Sequence, residues 1–163
     1  MYRINIYLEI EKDAMQTTRN KYGYVLSYLD KKGNPYERCG FGERIGTKNQ
    51  VTLSAMIDAL KRVNQSCEIH IHTQNDHVCG MMDNCIDSWV SRGFVTAKGK
   101  EIANLEEWQQ VAKLTRAHLI KMEKGYHEYT EKLKYEMRRH YEENMGKDVA
   151  PDEVREATGS GQC

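Results

Sequence analysis

Five side chains able to ligate zinc fall within sixteen residues: His70, His72, His77, Cys79 and Cys85. His70 and His72 stand two apart, the strand period, so they share one face, and a tetrahedral site would need only two more nitrogen or sulfur ligands. No C-x-x-C pair accompanies them, and the strand that carries His70 and His72 lies centrally in the expected sheet. The expectation is therefore histidines that hydrogen-bond between sheet and helix rather than a metal site. Carboxylates offer a second chemistry. Glu9 and Glu11 alternate onto one strand face, and Asp76 lies two residues past Gln74; close-set carboxylates are what a hard divalent cation requires. The third chemistry is electrostatic. Between Trp89 and Lys124, Arg92, Lys98, Lys100, Lys113, Arg116, Lys121 and Lys124 face Glu101, Glu106, Glu107 and Glu123, a balance of +3 with Trp89, Phe94 and Trp108 interleaved. That pattern suits a phosphate backbone, and equally a solvated face over core tryptophans. Gly40-x-Gly42 and Gly46 end a strand and lack the helix context of a phosphate-binding loop. Cys163 has no neighbours that would make it a nucleophile.

The elements that must position these groups follow from periodicity. Tyr2, Ile4, Ile6, Leu8 and Ile10 alternate, predicting a half-buried strand. Residues 13–21 read as a polar loop. Tyr22 to Leu29, the turn Asp30 to Pro35, and Tyr36 to Gly46 predict a hairpin. From Asn49 the apolar positions Val51, Leu53, Met56, Leu60 and Val63 switch to helical spacing. Cys67 to Thr73 returns to a strand, a crossover that implies parallel pairing. Helical spacing interrupted by Gly80 runs from His77 to Val90, and residues 91–103 form a loop. A helix around Trp108, a strand over Ala117 to Glu123 and a charged helix over Tyr129 to Met145 complete the order. The expected fold class is α/β, a five-stranded mixed sheet with an antiparallel meander followed by parallel strands, flanked by helices. One domain over 1–142 is expected, with 143–163 a helix end and flexible tail.

Composition narrows the function classes. Lys+Arg 24 against Asp+Glu 24 give a formal net charge of zero over 163 residues, so bulk charge does not mark a nucleic-acid binder, although a local basic face remains open. No run approaches the roughly 18 apolar residues of a membrane span. The odd count of five cysteines and an alternating N-terminus lead to the expectation of reduced thiols in a cytoplasmic protein.

Several strings, in their order, resemble one family. Tyr22-Gly23-Tyr24-Val25-Leu26 is similar to a glycine-tyrosine-glycine strand start, and Gly46-Thr47-Lys48-Asn49-Gln50-Val51-Thr52-Leu53 to a Thr-Asn-Asn-Arg-x-Glu-Leu helix entry. Cys67 to Val78 sits where a strand ends in Thr-Asp-Ser. Trp89-Val90-Ser91-Arg92-Gly93-Phe94, followed by Thr96, Asn104 and Trp108, is similar to a Trp…Arg-Gly-Trp…Thr…Asn…Trp stretch, and Lys124-Gly125 to a Lys-Gly-His turn. The family is the ribonuclease H type 1 family, and the resemblance covers roughly residues 1–142.

It implies a site of four carboxylates holding two Mg²⁺ ions that activate water against a phosphodiester. Carried over by position, these fall on Glu9, Thr52, Gln74 and Glu136, and a mobile histidine falls on Tyr126. Two of the four are uncharged, so Glu9 and Glu136 are remnant carboxylates able at most to share one ion. The resemblance therefore implies a member that binds an RNA–DNA hybrid or double-stranded RNA through Thr47, Lys48, Asn49, Arg92, Lys98 and Lys100, with catalysis impaired and no cofactor expected. Two alternatives stand beside it. One is a protein-interaction module without nucleic acid. The other is an active nuclease rearranged around Glu9 and Glu136, dependent on Mg²⁺ or Mn²⁺. For Thr47 and Asn49, capping of the helix that follows is the competing role.

Overall fold

Alternation along the first strand sorts the molecule into two cores. The structure, a computed structural model, describes residues 2–95, 99 and 101–146, with side chains to residue 139. The element order is β1 (Tyr2–Ile10), β2 (Thr18–Leu29), β3 (Pro35–Gly46), α1 (Lys48–Leu60), β4 (Cys67–Thr73), α2 (Asp76–Asn84), α3 (Ile86–Ser91), α4 (Leu105–Thr115), β5 (Leu119–Lys124) and α5 (Thr130–Gly146). The sheet order is β3-β2-β1-β4-β5. β1–β2 and β2–β3 pair antiparallel, β1–β4 and β4–β5 parallel. This is the expected five-stranded mixed sheet flanked by helices.

Ile6 and Leu8 on one side of β1 join Tyr22, Tyr24, Leu53, Met56, Trp108 and Val111 in the larger core under α1 and α4. Tyr7, on the other side, joins Val25, Cys39, Phe41, Leu133 and Met137 in a smaller core under α5. Trp108 is fully buried and meets Trp89 edge to face, with ring centroids 5.4 Å apart. Both tryptophans therefore act as core residues rather than as a nucleic-acid platform.

Two boundaries differ from the periodicity. β2 begins at Thr18, inside the expected loop. Its Asn20 is fully buried, and the amide accepts from Lys12 N and donates to Lys12 O, at 2.9 and 2.8 Å. A buried polar residue that replaces backbone partners reads as loop in the sequence. The second helical segment breaks at Cys85, which is the C-cap of α2 and the N-cap of α3, and not at Gly80. Cys67, Cys79 and Cys85 are free thiols. Among the described residues no helix is long and apolar enough to cross a membrane.

Candidate functional site

Glu9 is the last residue but one of β1 and points to the α5 face, where the parallel neighbour β4 ends. It is 4% exposed. A carboxylate so buried must find donors, and three side chains supply them. Gln74 Nε2 donates to both oxygens, at 3.0 and 3.1 Å. Thr130 Oγ1 donates to Oε2 at 2.7 Å. His127 Nε2 lies 3.0 Å from the same Oε2 and 2.9 Å from Leu8 O. The other ring nitrogen, Nδ1, accepts the Tyr129 N–H at 3.2 Å. The ring proton therefore sits on Nε2, aimed at Glu9 and the Leu8 carbonyl. Burial raises the Glu9 carboxyl, but the hydrogen bonds from His127, Thr130 and Gln74 prevail and hold it below its ordinary value. Gln74 is exposed while Glu9 is not, so Gln74 covers the carboxylate from solvent.

Local structure explains how α5 delivers these donors. Thr130 opens the helix, accepts the His127 N–H at 3.1 Å and donates its own hydroxyl proton to Glu9. On the same face one turn on, Lys134 Nζ reaches Ile10 O at 3.5 Å. Glu136, expected to share the site with Glu9, lies six residues from Thr130 and so roughly 240° round the helix. That flank carries Tyr129, which bonds Glu37 of β3, and there Glu136 pairs with Arg139 at 2.7 Å. The helix does not bring the two remnant carboxylates onto one face. Tyr126 is 65% exposed and donates to Glu131 at 2.8 Å. His127, next to it, makes the contact with Glu9. His127 and Thr130 were missed from sequence because their partner lies about 120 positions away; the available signal was a hydroxyl residue opening a charged helix just after a histidine.

Thr52, the second uncharged position, is buried in α1 and donates back to Lys48 O at 2.8 Å. It accepts from Asn75 Nδ2 at 3.1 Å, and the same amide nitrogen donates to Asn49 Oδ1 at 3.0 Å. Asn75 Oδ1 caps α2 by accepting from Val78 N. One asparagine thus ties the start of α1 to the start of α2, and Asn49, 7% exposed, belongs to that tie. Thr47 is the N-cap of α1 in a reciprocal capping box with Gln50. Its hydroxyl oxygen accepts Gln50 N, which leaves the hydroxyl proton to donate outward. Lys48 reaches Asp13 at 3.2 Å. Arg92 is exposed at the C-cap of α3; Lys98 and Lys100 lie outside the described residues. Within the +3 stretch, Lys121 and Lys124 pair with Glu68 and Asp76, at 3.8 Å each. Asp76 is thereby turned towards Lys124 rather than Glu9.

The histidines separate. His70 places Nε2 2.8 Å from Glu68 and Nδ1 3.2 Å from Glu123. His72 stacks on Tyr7 at 4.3 Å and meets Asn5 Oδ1 at 3.0 Å. His77 is exposed while Cys79 is buried, and burial pushes the Cys79 thiol up to about 11. Among the described residues no three His, Cys, Asp or Glu side chains converge as a metal site.

The donor set around Glu9 also decides whether a pair of divalent cations fits. A two-cation site needs several carboxylates with free lone pairs converging on it. Here an amide N–H, a hydroxyl and an imidazole N–H point at one carboxylate, and an ammonium stands at the adjacent Ile10 carbonyl. Hydrogen-bond donors occupy the directions a cation would take. The residues present do not fit the two-metal arrangement.

Comparison with known proteins bears on the fold and the family. The family model RNase H matches residues 13–126. A ribonuclease H from Campylobacter curvus is 30% identical over 99 residues, covering 61% of this chain and 64% of that protein. A ribonuclease HI from Xylella fastidiosa is 35% identical over 89 residues, covering 55% and 59%. These matches span about three fifths of the relatives' length. Among solved structures, LC9-RNase H1, a type 1 RNase H with the type 2 active-site motif, superposes with a TM-score of 0.66 at 17% identity, covering 82% of this chain and 69% of that one. The sheet order β3-β2-β1-β4-β5 thus stands beside a family model that matches residues 13–126, most of the chain, and the protein belongs to the ribonuclease H family.

Proposed function

We propose that this chain binds a nucleic-acid duplex, an RNA–DNA hybrid or double-stranded RNA, without hydrolysing it. The observation that carries the reading is the hydrogen-bond shell of Glu9: Gln74, Thr130 and His127 serve the carboxylate as a structural acceptor. Thr52 and Gln74 supply no charge where the family has carboxylates, so Mg²⁺ or Mn²⁺ would matter only to a rebuilt site. Family membership supports duplex binding as the retained property. The contacts are Thr47 and Lys48 at the entry of α1, whose hydroxyl and ammonium suit a 2′-hydroxyl and a phosphate, and Arg92 with Lys98 and Lys100 beyond α3. Asn49 acts by holding that entry rigid through Asn75.

Titration of a labelled hybrid at several salt concentrations tests this reading. Binding should weaken linearly in log–log form, because each neutralised phosphate releases counterions. Lys48→Ala and Arg92→Ala should each reduce the slope by about 0.9 and leave the folded far-UV spectrum intact. Absence of binding even at low salt would favour the protein-interaction module.

A further inference from the structure

A second groove lies at the other end of the sheet. Glu9 and Tyr2 stand seven residues apart on β1, roughly 23 Å at the rise of an extended strand. Along β2 the side chains facing the larger core are Tyr22, Tyr24, Leu26 and Tyr28. α1 covers the first two, with Asp58 bonding Tyr22 OH and Arg62 Nε donating to Tyr24 OH at 2.6 Å. There the helix stops, at Leu60 with Lys61 as its C-cap. The hairpin runs on, so Tyr28 and its cross-strand partner Tyr36 are left without a helix above them. The result is a cavity of about 690 Å³, within the range of ligand sites, floored by Ile4, Leu26 and Val63.

Its lining has a specific chemistry. Tyr28 and Tyr36 stack with centroids 5.5 Å apart and planes 12° from parallel, and Tyr36 is 42% exposed. Around them stand Lys31 and Lys32 from the turn, Arg38 from β3 and Arg62 from the end of α1. The one carboxylate of the lining, Asp30, is spent within the turn: it accepts from Lys32 N and Asn34 N, at 2.9 and 2.8 Å. Lys31, Lys32 and Arg62 have no carboxylate partner among the described residues. Arg62 is also held in place, since its Nε bond and its position 5.6 Å over the Tyr24 ring fix the guanidinium and leave its outer nitrogens to the groove. In a chain of zero net charge, Lys31, Lys32 and Arg62 against one occupied carboxylate are a local concentration.

We infer that this groove is a binding site for single-stranded nucleic acid, separate from the Glu9 end of the sheet. Stacked tyrosine faces accept bases of any sequence, and cations on two separate elements, the turn and the end of α1, match a string of phosphates better than a single one. The inference does not depend on the duplex reading, because no residue is shared between the two surfaces.

Fluorescence anisotropy with a labelled oligothymidylate of about eight nucleotides tests it. The full chain should bind at low salt. Tyr36→Ala should weaken binding about tenfold, the loss of one stacked base. Lys31→Ala with Lys32→Ala should flatten the log–log salt dependence by about 1.4, at roughly 0.7 per contact for a single strand. Lys31 and Lys32 are exposed, so the unfolding midpoint of the double lysine variant should not move, and titration of the hybrid should be unaffected by either variant. No binding by the wild type, or wild-type affinity in both Tyr36→Ala and the double lysine variant, would overturn the inference. Competition by thymidine monophosphate at the concentrations effective for the oligonucleotide would also overturn it, in favour of a mononucleotide pocket.

Discussion

Glu9→Gln is expected to destabilise the protein by about 2 kcal/mol in Mg²⁺-free buffer, read as a lowered urea midpoint at unchanged m-value. The carboxylate takes hydrogen bonds at both oxygens, from Gln74 on one side and from Gln74, Thr130 and His127 on the other. Glutamine keeps one oxygen and puts an amide N–H₂ in place of the second, so a donor meets a donor inside the sheet–helix interface. Removing a charge-assisted acceptor from buried donors costs about 1.5–3 kcal/mol. A carboxylate kept as a metal ligand behaves oppositely: clustered with others and without its cation it is repelled, and neutralising it relieves the strain. The sign of the change therefore separates a structural Glu9 from a catalytic one. Acid titration gives a second readout. Burial raises the Glu9 carboxyl, and the bonds from His127, Thr130 and Gln74 more than offset this, so the folded value lies below the ordinary 4.5. Its contribution is fully present above about 4.5 and is lost as pH falls through the folded value, because the unfolded chain binds the proton first. Glu9→Gln should lack this part of the acid slope.

Gly40→Ala combined with Gly42→Ala is expected to cost about 3–4 kcal/mol, measured by urea unfolding. Across the antiparallel pair, Gly40 faces Tyr24 and Gly42 faces Tyr22. Each ring lies flat over its glycine, and an added Cβ would meet the tyrosine ring and hydroxyl at 2.4 Å for Gly40 and 2.3 Å for Gly42. Neither ring is free to swing away. Tyr22 OH is bonded to Asp58 and Tyr24 OH to Arg62, one turn apart on α1 and its C-terminal extension. A methyl group therefore forces a loss of packing together with a loosened helix–sheet bond. The two sites are neighbours on β3 and both tyrosines are anchored at the end of α1, so their costs should couple, and the double variant should differ from the sum of the singles. Because Arg62 owes its place in the distal groove to Tyr24, Gly40→Ala alone should disturb oligonucleotide binding more than Gly42→Ala.

Much of this architecture is legible from local pattern. The even-numbered apolar residues of β1 face the larger core because strand period is 2, and Val51, Leu53, Met56 and Leu60 are buried in α1 because helix period is 3.6. Legibility ends where a residue's role depends on a distant partner. Asn20 hides β2's first turn of strand because its amide substitutes for a backbone neighbour. Glu9 could be singled out by its place near a strand end. His127 and Thr130 acquire their roles only when α5 folds back on β1. Glu136 illustrates the same limit from the other side: a plausible alignment in a charged helix shifts the face by 100° for every residue of register, and the face meeting Glu9 carries Thr130 and Lys134.

The central claim is that this ribonuclease H family member retains duplex binding with Glu9 serving structure instead of metal chemistry. Incubating a labelled RNA–DNA hybrid with the full chain in Mg²⁺, and separately in Mn²⁺, tests it most directly when binding is read from the same samples on a native gel. The account predicts a shifted and intact hybrid in both metals, with Lys48→Ala weakening the shift. Cleavage by the wild type that Glu9→Gln abolishes would contradict it and would mean that the site has been rebuilt around Glu9.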